Sequence, residues 1–182
     1  DAVRAPADSM PAANATRAAR ARAQGAAFAR QFFTDHEWAT VRVLVDLIIP
    51  KDDRSGSAAD AGVPEFMDFM MTDQPNRQTA MRGGLAWIDR ETQRRFDRTF
   101  VDATDANRRA ILDDLSWPDR VPPGLTQGAA FFASFRDLTA SGFWTSKMGI
   151  DDLGYMGNVS VRTWNGCPEP ALRKLGLPAG RE

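Results

Sequence analysis

Between Phe33 and Leu138 apolar residues return every three or four positions, and beyond Gly142 that rhythm stops. Spacing of this kind places apolar side chains on one stripe of a helix, so the first stretch predicts a set of packed helices. The first begins at Thr34-Asp35-His36-Glu37, where a threonine followed three residues later by glutamate makes a capping box and Phe33 is placed to staple onto Trp38. Trp38, Val41, Val45 and Ile48, with Leu44 and Leu47 beside them, form its inner face, and Pro50 ends it after about four turns. Lys51 to Gly62, charged, small and glycine-containing, reads as a surface loop.

Pro64-Glu65 opens a second, shorter helix, because proline at a helix start gives up a donor the helix does not use and glutamate suits the positive end of the dipole. Met67, Met70 and Met71 then read as core, with an adaptable binding face as the alternative. A longer helix is predicted from about Gln74 to Phe100, with Met81, Leu85, Ile88 and Phe96 inward and Arg90, Glu91, Arg94 and Arg95 outward. Gly83-Gly84 within it marks a kink or a close helix contact. Thr104-Asp105 caps a helix through Ile111, Leu112 and Leu115 that stops near Trp117-Pro118, and Pro122-Pro123-Gly124 makes a rigid connector. The last predicted helix carries Ala129, Phe131, Phe132, Phe135 and Leu138 and stops at Ser141-Gly142.

After Gly142, glycines at 149, 154, 157, 166 and 176 interrupt a stretch that holds Phe143, Trp144, Tyr155 and Trp164. An irregular segment with so many rings is more stable lying over another surface than alone. The expected fold is therefore all-α: a compact bundle of about five helices with a long irregular, aromatic-rich C-terminal segment. Three parts follow, an N-terminal arm (1–31), a helical core (32–141) and a partner-wrapping segment (142–182).

Composition narrows the function. A chain of 182 residues is long enough for one domain with a sizeable core. Its opposing charges nearly cancel, to a formal net of -1, which argues against nucleic acid. Arg17, Arg20 and Arg22, set among alanines, read as a solvated helical arm. No apolar run reaches the ~18 residues a membrane span needs, and no signal-peptide core is present. A cytosolic protein and one whose leader has been removed both fit. The single cysteine, Cys167, cannot form an internal disulfide and is expected to be buried, with pairing to a partner chain as the alternative.

Candidate chemistry is sparse. His36 sits in the capping box and reads as a surface or cap-packing residue, and one histidine with one distant cysteine gives no metal-ligand spacing. Nucleophilic catalysis would have to draw its base from that same histidine. Asp52-Asp53, Asp113-Asp114 and Asp151-Asp152 read as solvated turns and helix surfaces, and Gly154-Tyr155-Met156-Gly157 lacks the strand-loop-helix setting of a phosphate cradle. No catalytic, cofactor-binding or metal-ligating residue is expected in this chain.

Three stretches taken together are informative: Phe33-Thr34-Asp35-His36-Glu37 running to Leu47-Ile48-Ile49-Pro50; Asp60-Ala61-Gly62-Val63-Pro64-Glu65-Phe66; and Gly142-Phe143-Trp144-Thr145-Ser146 with Gly149, Asp152-Leu153-Gly154-Tyr155 and Gly157-Asn158. In order and spacing they resemble the gluconate 2-dehydrogenase subunit 3 family, over about residues 32–168. The resemblance implies a small, non-catalytic subunit bound to a large flavoprotein sugar or sugar-acid dehydrogenase of the glucose-methanol-choline type, with FAD in that partner and a c-type cytochrome as a further partner. It also implies a removed twin-arginine leader, help with folding and export of the catalytic subunit, and a periplasmic location, membrane-associated through partner subunits. On this reading Phe143, Trp144, Tyr155, Asn158 and Trp164 form the partner interface, large rings giving much buried area for little lost rotamer freedom. For Trp144 and Trp164, covering the chain's own helices is an equal alternative. Two other functions remain: a freestanding export chaperone or binding module that releases its client, and a small enzyme using carboxylates around Asp151-Asp152.

Overall fold

The computed structural model describes residues 28–157, 160, 162–163 and 166–178. The N-terminal arm with Arg17, Arg20 and Arg22, and also Asn158 and Trp164, lie outside the described residues. Those described form seven α-helices and no strand: α1 (Asp35–Ile48), α2 (Val63–Asp73), α3 (Gln78–Phe96), α4 (Asp105–Ser116), α5 (Thr126–Trp144), α6 (Lys147–Leu153) and α7 (Glu169–Lys174). Single 3₁₀ turns at Pro75–Arg77 and Pro118–Arg120 lead into α3 and follow α4.

The predicted caps are in place. Thr34 accepts the Glu37 N–H and the Glu37 carboxylate accepts the Thr34 N–H at 2.9 Å. The Phe33 ring stands 6.4 Å from that of Trp38. Thr104 accepts the Asn107 N–H to start α4. Gly62, at φ 82°, supplies the left-handed residue that turns the chain into α2, with Pro64 next to the helix start. The connection from 51 to 62 was expected at the surface, but Ser57, Ala58 and Ala59 are buried, and only Lys51 to Arg54 and Asp60 are exposed. Its backbone is tied inward, Ala58 N–H to the Ile49 carbonyl and Ala59 N–H to the Asp46 carboxylate.

α3 ends sooner than expected, at Phe96, because Asp97 adopts the left-handed conformation at φ 54°. Phe100 is freed from the helix and fully buried, its N–H held by Asp89 at 2.9 Å. α5 runs past its expected stop to Trp144. Its Gly142 does not terminate the helix; it lets α2 close in, since a Cβ there would lie 2.7 Å from the Phe66 ring.

α5 is the central element, packing against α1, α2, α3, α4 and α6. Its spacing from α3 is set by two reciprocal contacts. Phe131 of α5 rests on Gly84 of α3, where a Cβ would come within 1.8 Å of the ring, and Trp87 of α3 rests on Gly128 of α5, where the distance would be 2.1 Å. Gly84 is thus a close helix contact. Gly83 beside it meets nothing within 4 Å of its would-be Cβ. Around α5 gather Val41, Leu44, Val45, Met67, Met71, Leu85, Ile88, Ile111, Phe132 and Phe135, so two of the three methionines of α2 are core and Met70 packs against it.

Two buried carboxylates join elements that are distant in sequence. Asp68 of α2, 1% exposed, accepts N–H groups from Gln31, Phe32 and Phe33, at 2.8, 3.0 and 3.0 Å, and so fixes the approach to α1. Glu91 was expected on the outer face of α3, yet it is 8% exposed. Arg94 and Arg95 both bond to it, and Arg95 also reaches Asp114 of α4 at 2.6 Å, so the acid is drawn in as the hub of an α3–α4 tie.

The hydrogen bond from Arg94, aided by Arg95, lowers the Glu91 carboxyl from an ordinary 4.5 to about 2. A depressed folded-state value stabilises the fold above the unfolded value and loses that contribution as pH falls from 4.5 toward 2. With Arg94 largely solvent-exposed, roughly 2 kcal/mol is at stake. Replacing Glu91 with Gln is expected to cost about that much at pH 7 and to flatten the acid limb of stability, measured by urea unfolding from pH 7 to 2.

The paired glycines make a second prediction. Gly83→Ala is expected to stabilise by about 0.5–1 kcal/mol through helix propensity. Gly84→Ala and Gly128→Ala are each expected to destabilise by about 1–3 kcal/mol because a ring must move. Thermal melts followed by circular dichroism should therefore shift in opposite directions for these adjacent α3 positions, by ~2–4 °C per kcal/mol.

Candidate partner interface

The C-terminal end of α5 sets two adjacent rings in opposite surroundings. Phe143, expected on the partner interface, is 1% exposed and belongs to the chain's own core; the extra turn of α5 carries it inward. Trp144 points the other way, 42% exposed, its ring edge-on to Phe143 at 5.0 Å and 88°. Ser146 then accepts the Gly149 N–H at 3.0 Å and starts α6, a helix in a stretch where no period was visible in the sequence. A Cβ at Gly149 would lie 2.1 Å from the Phe143 carbonyl, so α6 sits directly against the end of α5. Gly154, left-handed, ends it.

From this end project Leu153 (63% exposed), Tyr155 (56%) and Met156 (87%), with Ile150 beside them. Among the described residues, the large exposed apolar side chains apart from Phe28 and Trp117 all fall at or after Trp144. Ion pairs edge this ledge: Lys147 with Asp151, and Arg54 with Asp152, whose backbone carbonyl the same guanidinium also reaches. An apolar centre with a charged rim is the anatomy of a protein contact surface. Asn158 and Trp164 belong to the expected interface but lie outside the described residues.

The remaining candidates have structural surroundings. His36 Nε2 meets Asp89 Oδ2 at 2.5 Å, and the other oxygen of Asp89 takes the Phe100 N–H, so the pair ties the start of α1 to α3 and the turn after it. The neighbouring hydroxyls are already engaged: Thr34 accepts from Glu37, and Thr40 donates to the His36 carbonyl. Asp52 accepts the N–H groups of Ser55 and Arg54, which lower its pKa, and Asp114 pairs with Arg95. Asp151 and Asp152 are engaged separately, by Lys147 and Arg54. Among the described residues no three His, Cys, Asp or Glu side chains gather as metal ligands, and no helix is long and apolar enough to cross a membrane.

Cys167 was expected to be buried and is exposed, on the short approach to α7. An exposed thiol reacts where a core thiol would not. Iodoacetamide is therefore expected to label it fully in the folded chain without denaturant, read by intact mass.

Fold and surface together define an all-helical domain with an exposed apolar, partly aromatic patch at one end. The chain belongs to the gluconate 2-dehydrogenase subunit 3 family, whose model matches residues 35–165, and that family is one of subunits of a dehydrogenase complex. No curated protein and no solved structure matches the chain. The matched span runs from the first residue of α1 to beyond Tyr155, so it takes in both the helical core and the ledge.

Sequence reasoning missed Asp68, Glu91 and the aliphatic members of the ledge. Leu153 and Met156 lie among glycines without a period, and only the Ser146 cap four residues before Ile150 could have signalled the helix that presents them.

Proposed function

We propose that the chain is the small, non-catalytic subunit of a periplasmic FAD-dependent sugar or sugar-acid dehydrogenase. In this role it binds and stabilises a large flavoprotein subunit of the glucose-methanol-choline type, which carries the FAD and the chemistry. The observation that carries the reading is the apolar ledge of Trp144, Leu153, Tyr155 and Met156, exposed on a chain whose family is that of a dehydrogenase-complex subunit. Left in water, such a cluster costs free energy at about 25 cal/mol per Å², and covering it with a partner recovers that amount. Twin-arginine export together with the catalytic subunit, a chaperone-like part in its folding, and a c-type cytochrome as further partner complete the proposal.

Because the ledge residues are exposed, they can be changed without disturbing the core. The triple variant Trp144→Ser, Leu153→Ser, Tyr155→Ser is expected to keep its helical circular dichroism and melting temperature within about 2 °C. Its affinity for the co-expressed flavoprotein is expected to fall at least ~30-fold, as for the loss of an aromatic hot spot. Size-exclusion of the active enzyme separates a resident subunit from a chaperone that departs. Unchanged affinity in the triple variant would overturn the ledge as the binding face.

A further inference from the structure

A second surface remains on the opposite pairing of helices. Between α3 and α5 runs an open groove of about 630 Å³, walled by the half-buried Trp87 and Phe131 over the buried Met81, Phe135 and Leu138, and bounded by Arg77 and Arg90. Trp87 and Phe131 are the rings that lock the two helices through Gly128 and Gly84, so the walls of the groove are held in place by the core contact beneath them. The groove is consequently preformed.

Two observations show what fits there. The first is charge. Arg77 and Arg90 are both exposed, and among the described residues neither makes an ion pair; Arg90 gives one N–H to the Ala86 carbonyl at 3.2 Å. They stand thirteen residues apart along α3 and the turn before it, which is about 20 Å of helix. The second is Gly83, exposed in the groove with nothing within 4 Å of its would-be Cβ. Every other helical glycine of α3 and α5 has a tight neighbour that explains it: Phe131 for Gly84, Trp87 for Gly128 and Phe66 for Gly142. Glycine in mid-helix is destabilising, and at position 83 no contact among the described residues accounts for it. A missing side chain on a groove floor is what a closely approaching backbone requires.

We infer that this groove receives an acidic, amphipathic segment of the large subunit, with its backbone crossing at Gly83, apolar side chains against the half-buried rings of Trp87 and Phe131, and carboxylates at its two ends meeting Arg77 and Arg90. The inference rests on the proposed function, since it takes the dehydrogenase subunit as the partner, and it adds a contact independent of the ledge. Preformed walls and a narrow apolar floor suit recognition of a helix in a groove. The charges at the ends fix register and speed encounter.

The complex of full-length chain and flavoprotein tests it with two variants. Gly83→Leu fills the floor with a better helix former, so the chain stays folded by circular dichroism, and its affinity for the large subunit is expected to fall at least tenfold. In the Arg77→Lys, Arg90→Lys chain, carbodiimide is expected to join the new amines to Asp or Glu side chains of the large subunit, in peptides whose intervening residues are apolar, with the unsubstituted chain as background. Full affinity in Gly83→Leu while the ledge triple variant fails to bind would overturn the groove and leave the proposed function standing. Full affinity in both would overturn both. Cross-links confined to a second copy of this chain, or none above background, would also overturn the groove's assignment to an acidic segment of the large subunit.

Discussion

The distance between α5 and the helices around it is the constraint on which the structure turns. Gly128 and Gly142 let α3 and α2 approach α5 more closely than any side chain would permit, and Gly84 lets α5 reciprocate. Each glycine weakens its own helix, and the ring seated on it recovers more through packing than the backbone loses. With the axis of α5 fixed in this way, consecutive residues at its end face in different directions, about 100° apart. Phe143 closes the core and Trp144 enters solvent. The same contacts that hold the bundle together therefore aim the first ring of the ledge.

What could be read from the sequence was what depends on near neighbours. The Thr34 capping box, the Thr104 cap, Pro64 at the start of α2 and the stops before Pro50 and Pro118 are each decided by residues three or four apart, and all appear as expected. Long-range partners decided the rest. Glu91 looked like a surface acid because Arg90, Arg94 and Arg95 surround it in the sequence, and nothing local shows that Arg95 also holds Asp114. Gly142 looked like a helix stop because glycine after an apolar run usually is one. Phe66, far earlier in the chain, makes it a point of close approach. Phe143 was assigned to the interface on the same mistaken boundary. Of the expected site residues, Trp144 and Tyr155 are brought to one end of the molecule, together with Leu153 and Met156, which had no periodic signal.

Buried and half-buried carboxylates explain how a small domain keeps this surface in place. Asp68 is saturated by three backbone N–H groups, Asp89 holds both His36 and Phe100, and Glu91 is shared between two arginines. Each joins segments that hydrophobic packing alone would leave free to slide, because burial is non-directional and hydrogen bonds are not. A body fixed in this manner loses little further conformational freedom when it docks, and that loss is one of the main costs of association.

The C-terminal stretch has to be divided in light of this. Its glycines and rings seemed to demand shelter as a whole, yet Phe143 finds shelter within the chain and Ser146 starts a helix that packs on α5. Apart from Leu175 and Leu177 after α7, the large apolar side chains of this stretch that stay exposed among the described residues are fewer and more aliphatic: Trp144, Ile150, Leu153, Tyr155 and Met156, carried by the end of α5, α6 and the two residues after Gly154. A ledge mounted on the central helix cannot fold away against the chain's own core, because the glycine contacts that would have to yield are the ones holding that core together. Covering it from outside is the less costly arrangement, and the family's span, which ends beyond Tyr155, joins ledge and bundle in one unit.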